Sequence, residues 1–514
     1  MNGAESLVAS LVASDVDVCF ANPGTSEMHF VAALDRIEGM RCVLGLAEGV
    51  VTGAADGYAR MADKPACTLL HLGPGLANGL SNIHNAKKAN SPMVNVVGEH
   101  ATYHIEYDAP LTADIEGIAR PVSHWVHTSR SAADVARAGA DAVEAARTAP
   151  GQIATLILPA DTAWNEGGPV VTAASAKQRA QVSQDNINAC ATLLKGKSPT
   201  LLYLTGDALR EEGLEAAGRI AAATGAKVMA QWSNARLQRG AGRFAVSRVP
   251  FVVDQALEIL KNFEHVILVG TKPPVAFFAY PNKPSLLAPD SCHMHTLSTL
   301  AEDSIHALRW LADEVGASAS TVELQPLDRP AIPDGALTKD SIAAVIGATL
   351  PEDAIVADES VTTGRGFYPL TAGAPPHDWL QNMGGSIGLG MPLATGAAIA
   401  QPSRKTFCLT GDGSAMYTLQ ALWTQAREGL DVTTVIFANR GYDILLNELA
   451  NVGAGNAGRK ALDMLDLHRP DIGWVDLAKG LGVEAVSVSD AGSFARAMEA
   501  GTATQGPYLI EVVI

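Results

Sequence analysis

Two side chains that could bind a metal ion follow apolar runs in the last third of the chain. Asp412 stands in the Gly-Asp-Gly corner 411–413, and Asn439 ends the run 432–439. The spacing suits a strand, a crossover helix and a second parallel strand, which would bring the carboxylate and the amide to one sheet edge. These oxygens, with the backbone carbonyl of Gly441, are the ligands that Mg²⁺ prefers.

The same corner could also hold a phosphate group. Ser414 and the residues after it can start a helix, whose free N–H groups and dipole favour an anion. A magnesium ion that bridges a diphosphate would combine both features. An ordinary strand–helix–strand turn explains the spacing equally well, with Asp412 as the helix cap and Asn439 as the strand terminator.

Short apolar or β-branched runs alternate with alanine-rich helical segments along the whole chain. This pattern predicts an α/β protein whose parallel sheets are covered by helices on both faces. The stretches 166–186 and 314–338 are predicted linkers. We therefore expect three domains, each a doubly wound and mostly parallel sheet, at residues 1–170, 187–330 and 338–514. The predicted strands include the runs 18–22, 67–72, 93–98, 200–206, 265–270, 406–411 and 432–439.

Composition excludes several classes of partner. The chain has 514 residues and a net charge of −17, which argues against nucleic acid and against anionic membrane surfaces. Its six cysteines include no CxxC pair, as is typical of reduced thiols. The acidic N-terminus is unlike a signal peptide, and we expect no transmembrane helix. A cytoplasmic location is the prediction.

Five segments occur together in a characteristic order: "ANPGTSEMHF", "AEGVVTGAADGYAR", "LHLGPGLANGLSN", "GDGS" and "DLAKGLGVEA". Over essentially the whole chain, the sequence resembles thiamine-diphosphate (ThDP) enzymes of the benzoylformate decarboxylase and acetolactate synthase group. It is most similar to the bacterial acetolactate-synthase-like subgroup. The resemblance implies a pyruvate-decarboxylase-like fold that binds ThDP and Mg²⁺.

The implied reaction is decarboxylation or carboligation of a 2-oxo acid, through a C2 ylide and an enamine on the cofactor. The second reactant of a carboligation would be an aldehyde or another 2-oxo acid. Acetolactate synthesis from two pyruvates stays open, as does a non-catalytic ThDP-binding regulator. The middle third shows no stretch that matches flavin contacts, so FAD is not expected.

The resemblance assigns roles to cofactor residues. Glu48 matches the glutamate that hydrogen-bonds N1′ of the aminopyrimidine, and Ile387 matches the apolar wedge between the two cofactor rings. Gly385 would offer its carbonyl to the 4′-amino group, and Thr362 matches a phosphate contact. Val361 stands where relatives often have Thr or Ser. The full implied set is Glu48, Thr362, Gly385, Ile387, Gly411, Asp412, Gly413, Ser414, Asn439, Gly441 and Tyr442, with Asp412, Asn439 and Gly441 around the metal ion.

Family resemblance also implies that each cofactor lies between the first third of one subunit and the last third of another. A homodimer is then required, and a homotetramer is usual in the family. Glu48 would face the cofactor that Asp412 and Asn439 of the partner hold.

On the substrate side, Thr25 matches a serine that contacts the substrate carboxylate, and His71 matches a histidine that transfers protons. Ala279 falls where benzoylformate decarboxylase has a second histidine, which argues against simple aldehyde release and leaves carboligation open. Glu448 replaces an aromatic residue, which predicts a smaller or more polar substrate than a phenyl 2-oxo acid. The predicted pocket residues are Gly24, Thr25, His71, His100, Ala279, Ile444, Leu445 and Glu448.

His100 and His104 are four residues apart. Such a spacing could place a metal-binding pair on a helix. A position near the substrate pocket and an ordinary polar loop are the other two interpretations.

Overall fold

A computed structural model describes all residues, 1–514. Its first sheet has six parallel strands in the order β2-β1-β3-β4-β6-β5. Alternate residues of β1 enter different cores: Val18 and Phe20 pack on one face, Cys19 and Ala21 on the other. The strands are β1 Val18–Asn22, β2 Arg41–Leu44, β3 Ala66–Leu70, β4 Met93–Glu99, β5 Trp125–Thr128 and β6 Ile153–Pro159. The helices are α1 Gly3–Ala13, α2 Met28–Arg36, α3 Glu48–Ala62, α4 Leu72–Ala89, α5 Ile115–Ala119, α6 Val135–Arg147 and α7 Ala160–Trp164.

The second sheet has five parallel strands in the order β10-β8-β7-β11-β12. The strands of the middle third are β7 Thr200–Leu204, β8 Lys227–Ala230, β9 Leu237–Arg239, β10 Ser247–Arg248, β11 His265–Val269 and β12 His293–Ser298. Its helices are α8 Gln184–Lys195, α9 Glu211–Thr224, α10 Val253–Leu260 and α11 Ser304–Glu314.

The third sheet has seven strands in the order β17-β18-β16-β15-β13-β14-β9. Its last member, β9, comes from the middle third and pairs antiparallel with β14. The remaining strands are β13 Ala354–Glu359, β14 His377–Gln381, β15 Thr406–Gly411, β16 Val432–Ala438, β17 Glu484–Val488 and β18 Tyr508–Val513. The helices are α12 Lys339–Thr349, α13 Phe367–Leu370, α14 Gly390–Ala400, α15 Asp412–Ala415, α16 Ala421–Glu428, α17 Asp443–Asn451, α18 Arg459–Asp463, α19 Trp474–Gly480 and α20 Ala491–Ala503. Short 3₁₀ helices lie at Thr25–Glu27, Ile105–Tyr107, Gly206–Leu209 and Thr363–Gly366.

This architecture confirms the predicted α/β class with mostly parallel sheets. Every predicted strand run is a strand, within two residues at each end, and most of the two predicted linkers is irregular. The exact domain boundaries stay a prediction, and β9 crosses one of them.

The first and third sheets share a core through helices α3 and α14. Two glycines allow this contact: a Cβ at Gly57 would overlap the Leu393 carbonyl, and one at Gly396 would overlap the Ala54 carbonyl. Close helix contact of this kind fixes the N-terminal end of α3, where Glu48 lies.

A buried ion pair ties all three parts of the chain together. Asp56 and Arg60 on α3 are paired at 2.6 Å, and both side chains are almost fully buried. Arg60 also donates to the carbonyls of Ala235 and Gln381. Each nitrogen of its guanidinium therefore has an acceptor, as a buried guanidinium requires.

None of the helices combines the length and apolar character needed to cross a lipid bilayer. All six cysteines are free thiols, and five of them are buried, with Cys42 exposed.

Candidate active site

Asp412 and Asn439 follow neighbouring strands, as the spacing predicts. Strands β15 and β16 are parallel, and Gly411 pairs with Phe437. The Asp412 side chain is buried, with Oδ1 accepting the Gly413 N–H at 2.8 Å and Oδ2 accepting the Arg440 N–H at 2.7 Å. Burial raises the pKa of Asp412, and these two N–H groups partly oppose that shift.

The donor set at this corner suits a hard cation. Each Asp412 oxygen keeps lone pairs beyond its single N–H bond, and Asn439 Oδ1 accepts only a long bond, 3.3 Å, from the Gly441 N–H. Carboxylate, amide and backbone oxygens are the ligands of Mg²⁺ in proteins. The residues present therefore fit a magnesium ion.

Space for a further group lies beside the corner. A Cβ at Gly411 would meet nothing within 4 Å, whereas one at Gly413 would lie 2.5 Å from Cε1 of Tyr442. Tyr442 thus closes one side of the corner and Gly411 leaves the other side open. Ser414 is buried in the four-residue helix α15.

Sequence reasoning missed Glu359, which organises the loop before α14. Its buried carboxylate accepts the N–H groups of Gly388, Leu389 and Gly390 at 3.0–3.2 Å, and the Asn382 amide at 3.1 Å. Burial raises the pKa of Glu359, against the effect of these four donors. The only sequence signal was its place at the end of a strand that begins with the apolar run 354–357.

Ile387, the predicted wedge between the two cofactor rings, lies in the loop that Glu359 holds. Gly385 and Gly388 have positive φ angles of 78° and 95°, so the chain turns sharply on both sides of Ile387. The Ile387 side chain lines two cavities, of about 440 Å³ and about 240 Å³. It therefore separates two spaces that a bent ligand could occupy.

After β13, Thr362 is buried at the start of a 3₁₀ helix. Val361, which precedes it, has φ of +46° and lines the larger cavity. This conformation is unusual for a β-branched residue, and such strain collects at functional sites.

Glu48 begins helix α3 and lines the smaller cavity together with Ile387, Tyr417 and Thr418. Its carboxylate accepts one hydrogen bond, from the Asn78 amide at 3.1 Å, and is half-buried. One chain therefore brings Glu48 and Ile387 into the same small cavity. The arrangement across two subunits stays a prediction.

His71 follows β3 and is paired with a residue that sequence reasoning missed. Its Nδ1 lies 2.8 Å from Oε2 of the buried Glu27, and the same oxygen accepts the Gly24 N–H at 2.7 Å. A Cβ at Gly24 would overlap the His71 ring. Burial raises the pKa of Glu27, and the nearby His71 opposes this shift. Thr25 is exposed at the start of the adjacent 3₁₀ helix.

His100 and His104 lie near His71 in the first sheet. They follow β4 in a turn rather than a helix, and their ring centroids are 5.3 Å apart. Burial, His104 and then His71 lower the pKa of His100, whose Nε2 is buried without a hydrogen-bond partner. The helical metal pair is therefore wrong, and no group of three or more His, Cys, Asp or Glu residues in the chain is placed to hold a metal ion.

The larger cavity lies between the second and third sheets. Ile444, Leu445 and Glu448 line it, as predicted, but Ala279 is exposed and does not. Phe277 and Phe278 line it instead, and about half of each residue is exposed to solvent. The remaining predicted pocket residues, Gly24, Thr25, His71 and His100, belong to the edge of the first sheet and do not line this cavity.

Comparison with known proteins decides the family. Two family models match: the N-terminal TPP binding domain of thiamine pyrophosphate enzymes over residues 1–120, and their C-terminal TPP binding domain over residues 366–512. A Mycobacterium tuberculosis protein, provisionally named acetolactate synthase large subunit IlvX, is 52% identical over 100% of this chain and 99% of its own. The chain belongs to the ThDP-dependent decarboxylase and carboligase family.

More distant relatives agree with this membership. Benzoylformate decarboxylase of Pseudomonas aeruginosa is 29% identical over 96% of this chain and 95% of its own. The solved structure of a ThDP-dependent 4-hydroxybenzoylformate decarboxylase of Rhodococcus jostii RHA1 superposes with a TM-score of 0.88 at 25% identity, over 99% of this chain and 98% of that one. The family resemblance read from the five sequence segments is confirmed, and so is the assignment of the chain as a ThDP-dependent enzyme.

Proposed function

We propose that this enzyme decarboxylates a 2-oxo acid, with ThDP held through Mg²⁺ at Asp412 and Asn439. The observation that carries the proposal is the paired corner after β15 and β16, where a buried carboxylate and a nearly free amide oxygen follow adjacent strands. A cation there would offset the cost of keeping Asp412 ionised in a buried position. The backbone carbonyl of Gly441 completes the proposed protein ligands.

The bound cofactor would supply a nucleophilic carbon and an electron sink for the charge that remains when CO₂ leaves. The residues of the chain then have two tasks, which are to hold this group and to move protons around it. Ile387, fixed between two positive-φ glycines, would set the bend of the bound group. Gly411 and Ser414 would border its diphosphate, and Thr362 would add a hydroxyl.

Glu48 is the proposed proton carrier at the pyrimidine end. Its carboxylate has one hydrogen-bond donor, Asn78, and faces a cavity. With a single donor, the carboxylate keeps an oxygen free to contact a bound group. Glu48 would exchange a proton with a ring nitrogen of the bound group.

His71 is the proposed acid–base group beside the substrate. With Glu27 ionised, its Oε2 would accept hydrogen bonds from both the Gly24 N–H and His71 Nδ1–H. That bond fixes the tautomer in which Nε2 is free to accept and return a proton. Thr25, on the adjacent exposed turn, would contact the substrate carboxylate.

Magnesium-dependent cofactor uptake tests the proposal most directly. We expect ThDP to change the fluorescence of Trp232, which lines the larger cavity, only when Mg²⁺ is present. A panel of 2-oxo acids should then release CO₂ in proportion to bound cofactor. If ThDP binds equally well with and without Mg²⁺, or not at all, the role of Asp412 and Asn439 is wrong.

Acetolactate synthesis from pyruvate is the second candidate. The name of the Mycobacterium tuberculosis relative favours it, and so does the middle-third loop, which brings Phe277 and Phe278 into the cavity where benzoylformate decarboxylase has a histidine. Without a proton donor on that wall, the reacting carbon would remain available to a second carbonyl compound. Incubation with pyruvate distinguishes the candidates, because one releases acetaldehyde and the other forms acetolactate.

We further propose a homodimer or homotetramer in which Glu48 serves the site of the partner subunit. Complementation tests this. Glu48→Gln and Asp412→Asn would each be inactive alone, but a hybrid dimer would contain one site that carries neither change. An equal mixture that forms dimers at random should regain about a quarter of the wild-type activity. No regained activity in verified hybrids would place Glu48 and Asp412 of one chain in the same site.

Such an enzyme would be cytoplasmic, in keeping with six free thiols. A non-catalytic homologue is the remaining alternative. Unchanged turnover in Glu48→Gln would exclude the proposed role of this glutamate.

A further inference from the structure

Tyr417, a residue to which the sequence assigned no role, lies where the two cavities of the site meet. Like Ile387, it lines both the larger cavity and the smaller cavity beside Glu48. It also packs on the loop 382–389 before α14, which we call the cofactor loop, since a Cβ at Gly388 would lie 2.5 Å from Cβ of Tyr417. Its side chain is otherwise exposed, so its hydroxyl is open to a ligand.

Tyr442 lies between Tyr417 and the corner proposed to bind the metal ion. A Cβ at Gly413 would lie 2.5 Å from Cε1 of Tyr442, so this ring lies against the backbone of the corner. Burial raises the pKa of Tyr442, and so do the neighbouring Tyr417 phenol and the Asp412 carboxylate. The two phenols are therefore neighbours. Both tyrosines line the larger cavity, and apart from each other their hydroxyls have no hydrogen-bond partner in the chain.

The donors around this corner are mostly neutral. Of residues 411–418 and 439–442, only Arg440 is cationic, and its guanidinium pairs with Asp471 at 3.3 Å. Val361, which lines the same cavity, has no hydroxyl to offer. A diphosphate at this corner would therefore rely on neutral N–H and O–H groups, which bind phosphate oxygens through charge-assisted hydrogen bonds.

Two neighbouring phenols suit an anionic acceptor. A hydroxyl has one proton and two lone pairs, so when one phenol donates to the other, one O–H always remains free to donate to a ligand. The hydroxyl that accepts is polarised, which strengthens the bond that it donates in turn. Tyrosine has an ordinary pKa of about 10, so both groups keep their protons near neutral pH.

We propose that Tyr417 and Tyr442 form a hydroxyl pair that binds the diphosphate of ThDP and positions the cofactor between the metal corner and Ile387. This assignment rests on the proposed function of the site, and it adds Tyr417 to the residues that would hold the cofactor. Because Tyr417 also packs on the cofactor loop at Gly388, its contact with the diphosphate would help to fix the loop that carries Ile387.

The test measures ThDP affinity, and the inhibition constant of inorganic diphosphate as a competitor of ThDP, at fixed Mg²⁺. Tyr417→Phe keeps the ring and removes only the hydroxyl. We expect the affinities for ThDP and for inorganic diphosphate to fall together by roughly 10- to 100-fold, the range of a hydrogen bond to a charged group. At saturating ThDP, the KM for the 2-oxo acid should stay close to that of the wild type.

Tyr442→Phe and the double variant test whether the two hydroxyls act together. Because each phenol depends on the other, the double variant should lose about as much ThDP affinity as either single variant does. Losses that multiply in the double variant would show two independent groups and would overturn the pair.

Tyr508→Phe is the matched control, because Tyr508 begins β18, at the opposite end of the third sheet, and lines neither cavity. It should bind ThDP and inorganic diphosphate as the wild type does. Thermal unfolding without ligand should be the same for Tyr417→Phe and the wild type, because this hydroxyl is proposed to serve a ligand. A clearly lower unfolding temperature would indicate a packing role and would overturn the assignment.

Three further outcomes separate this inference from the proposed function. If Tyr417→Phe binds inorganic diphosphate normally, the hydroxyl does not serve the phosphates and the inference fails alone. A higher KM for the 2-oxo acid at unchanged ThDP affinity would assign the hydroxyl to the substrate, with the same consequence. If Asp412→Asn leaves Mg²⁺-dependent ThDP binding intact, the proposed function fails, and the assignment of the tyrosines fails with it.

Discussion

The carboxylates at the carboxyl edges of the first and third sheets differ in the hydrogen-bond donors that surround them. In the third sheet, Asp412 accepts two backbone N–H groups, and Glu359 accepts four N–H groups. In the first sheet, Glu48 accepts one side-chain amide, while Oε2 of Glu27 is bonded to the Gly24 N–H and to His71 Nδ1 and its Oε1 is buried without a partner. Backbone donors fix the direction of a carboxylate, whereas the pairing of Glu27 with an imidazole places it beside a group that can carry a proton. One edge therefore suits anchoring and the other suits proton transfer.

The largest effect should come from the anchoring edge. Asp412→Asn removes the charge that a cation needs, so Mg²⁺-dependent ThDP affinity should fall by more than about 100-fold, since even outer-shell partners of a metal are worth roughly 10- to 100-fold. Fluorescence titration with ThDP at fixed Mg²⁺ measures this change. Asp431→Asn, which alters an aspartate paired with Lys405 away from the corner, should bind normally. Equal affinities in the two variants would refute the anchoring role.

The proton-transfer edge should respond in turnover instead of cofactor binding. Glu48→Gln should lower kcat by roughly 10²- to 10⁴-fold, the range of one acid–base group, and leave ThDP affinity within a few-fold. Steady-state kinetics and the same titration separate the two quantities. Glu38→Gln changes an exposed acid in the turn before β2 and should leave both unchanged. If a Glu48 variant lost ThDP affinity but kept its kcat, the proposed difference between the two sheet edges would be wrong.

Glu27→Gln should have a smaller effect that depends on pH. Burial raises the pKa of Glu27, so its carboxylate loses its charge, and with it its support of His71, at a higher pH than an exposed glutamate would. We expect wild-type kcat to fall on the acid side and the Gln variant to lack that decline, at roughly 10-fold lower kcat near neutrality. If kcat falls in the same way on the acid side in both proteins, a group other than Glu27 causes the decline.

Glu27 should also make the stability of the folded protein depend on pH. The folded pKa of Glu27 lies above the unfolded value, so folding is favoured by its neutral form below the ordinary glutamate pKa. That contribution is lost as pH rises through the raised value. Chemical denaturation should show the wild type losing stability relative to Glu27→Gln between acid and neutral pH. A difference that is constant with pH would contradict the raised pKa.

The last effect concerns the stability of the cofactor loop and not activity. Gly388→Ala must adopt φ of +95° and bring its Cβ to 2.5 Å from Cβ of Tyr417. Gly429→Ala has a positive φ of 60° and no neighbour within 4 Å, so it isolates the conformational cost. We expect about 1 kcal/mol lost for Gly429→Ala and about 2–3 kcal/mol for Gly388→Ala, measured by denaturant unfolding. Equal losses would mean that the loop can relax around the new methyl group.

Local features were predictable from the sequence, and long-range features were not. The corner of Asp412 and Asn439 could be read because strand spacing alone brings the two positions together. The role of Glu27 could not be read, because it depends on Gly24 and on His71, which is distant in the sequence. The role of Glu359 could not be read either, because it depends on a loop about 30 residues away. The prediction that Ala279 lines the pocket was wrong, since Phe277 and Phe278 line the cavity and an irregular loop has no periodicity to reveal which side chains do so.

Strand β9 has a practical consequence for anyone who exchanges parts between relatives. This three-residue segment belongs to the middle third by sequence and to the third sheet by hydrogen bonding. A chimera cut at the flanking linkers would place a foreign strand in the recipient sheet or leave the backbone groups of β14 unpaired at an open edge. Unpaired edges of this kind promote aggregation. Grafts should therefore keep Leu237–Arg239 with the C-terminal sheet that it completes.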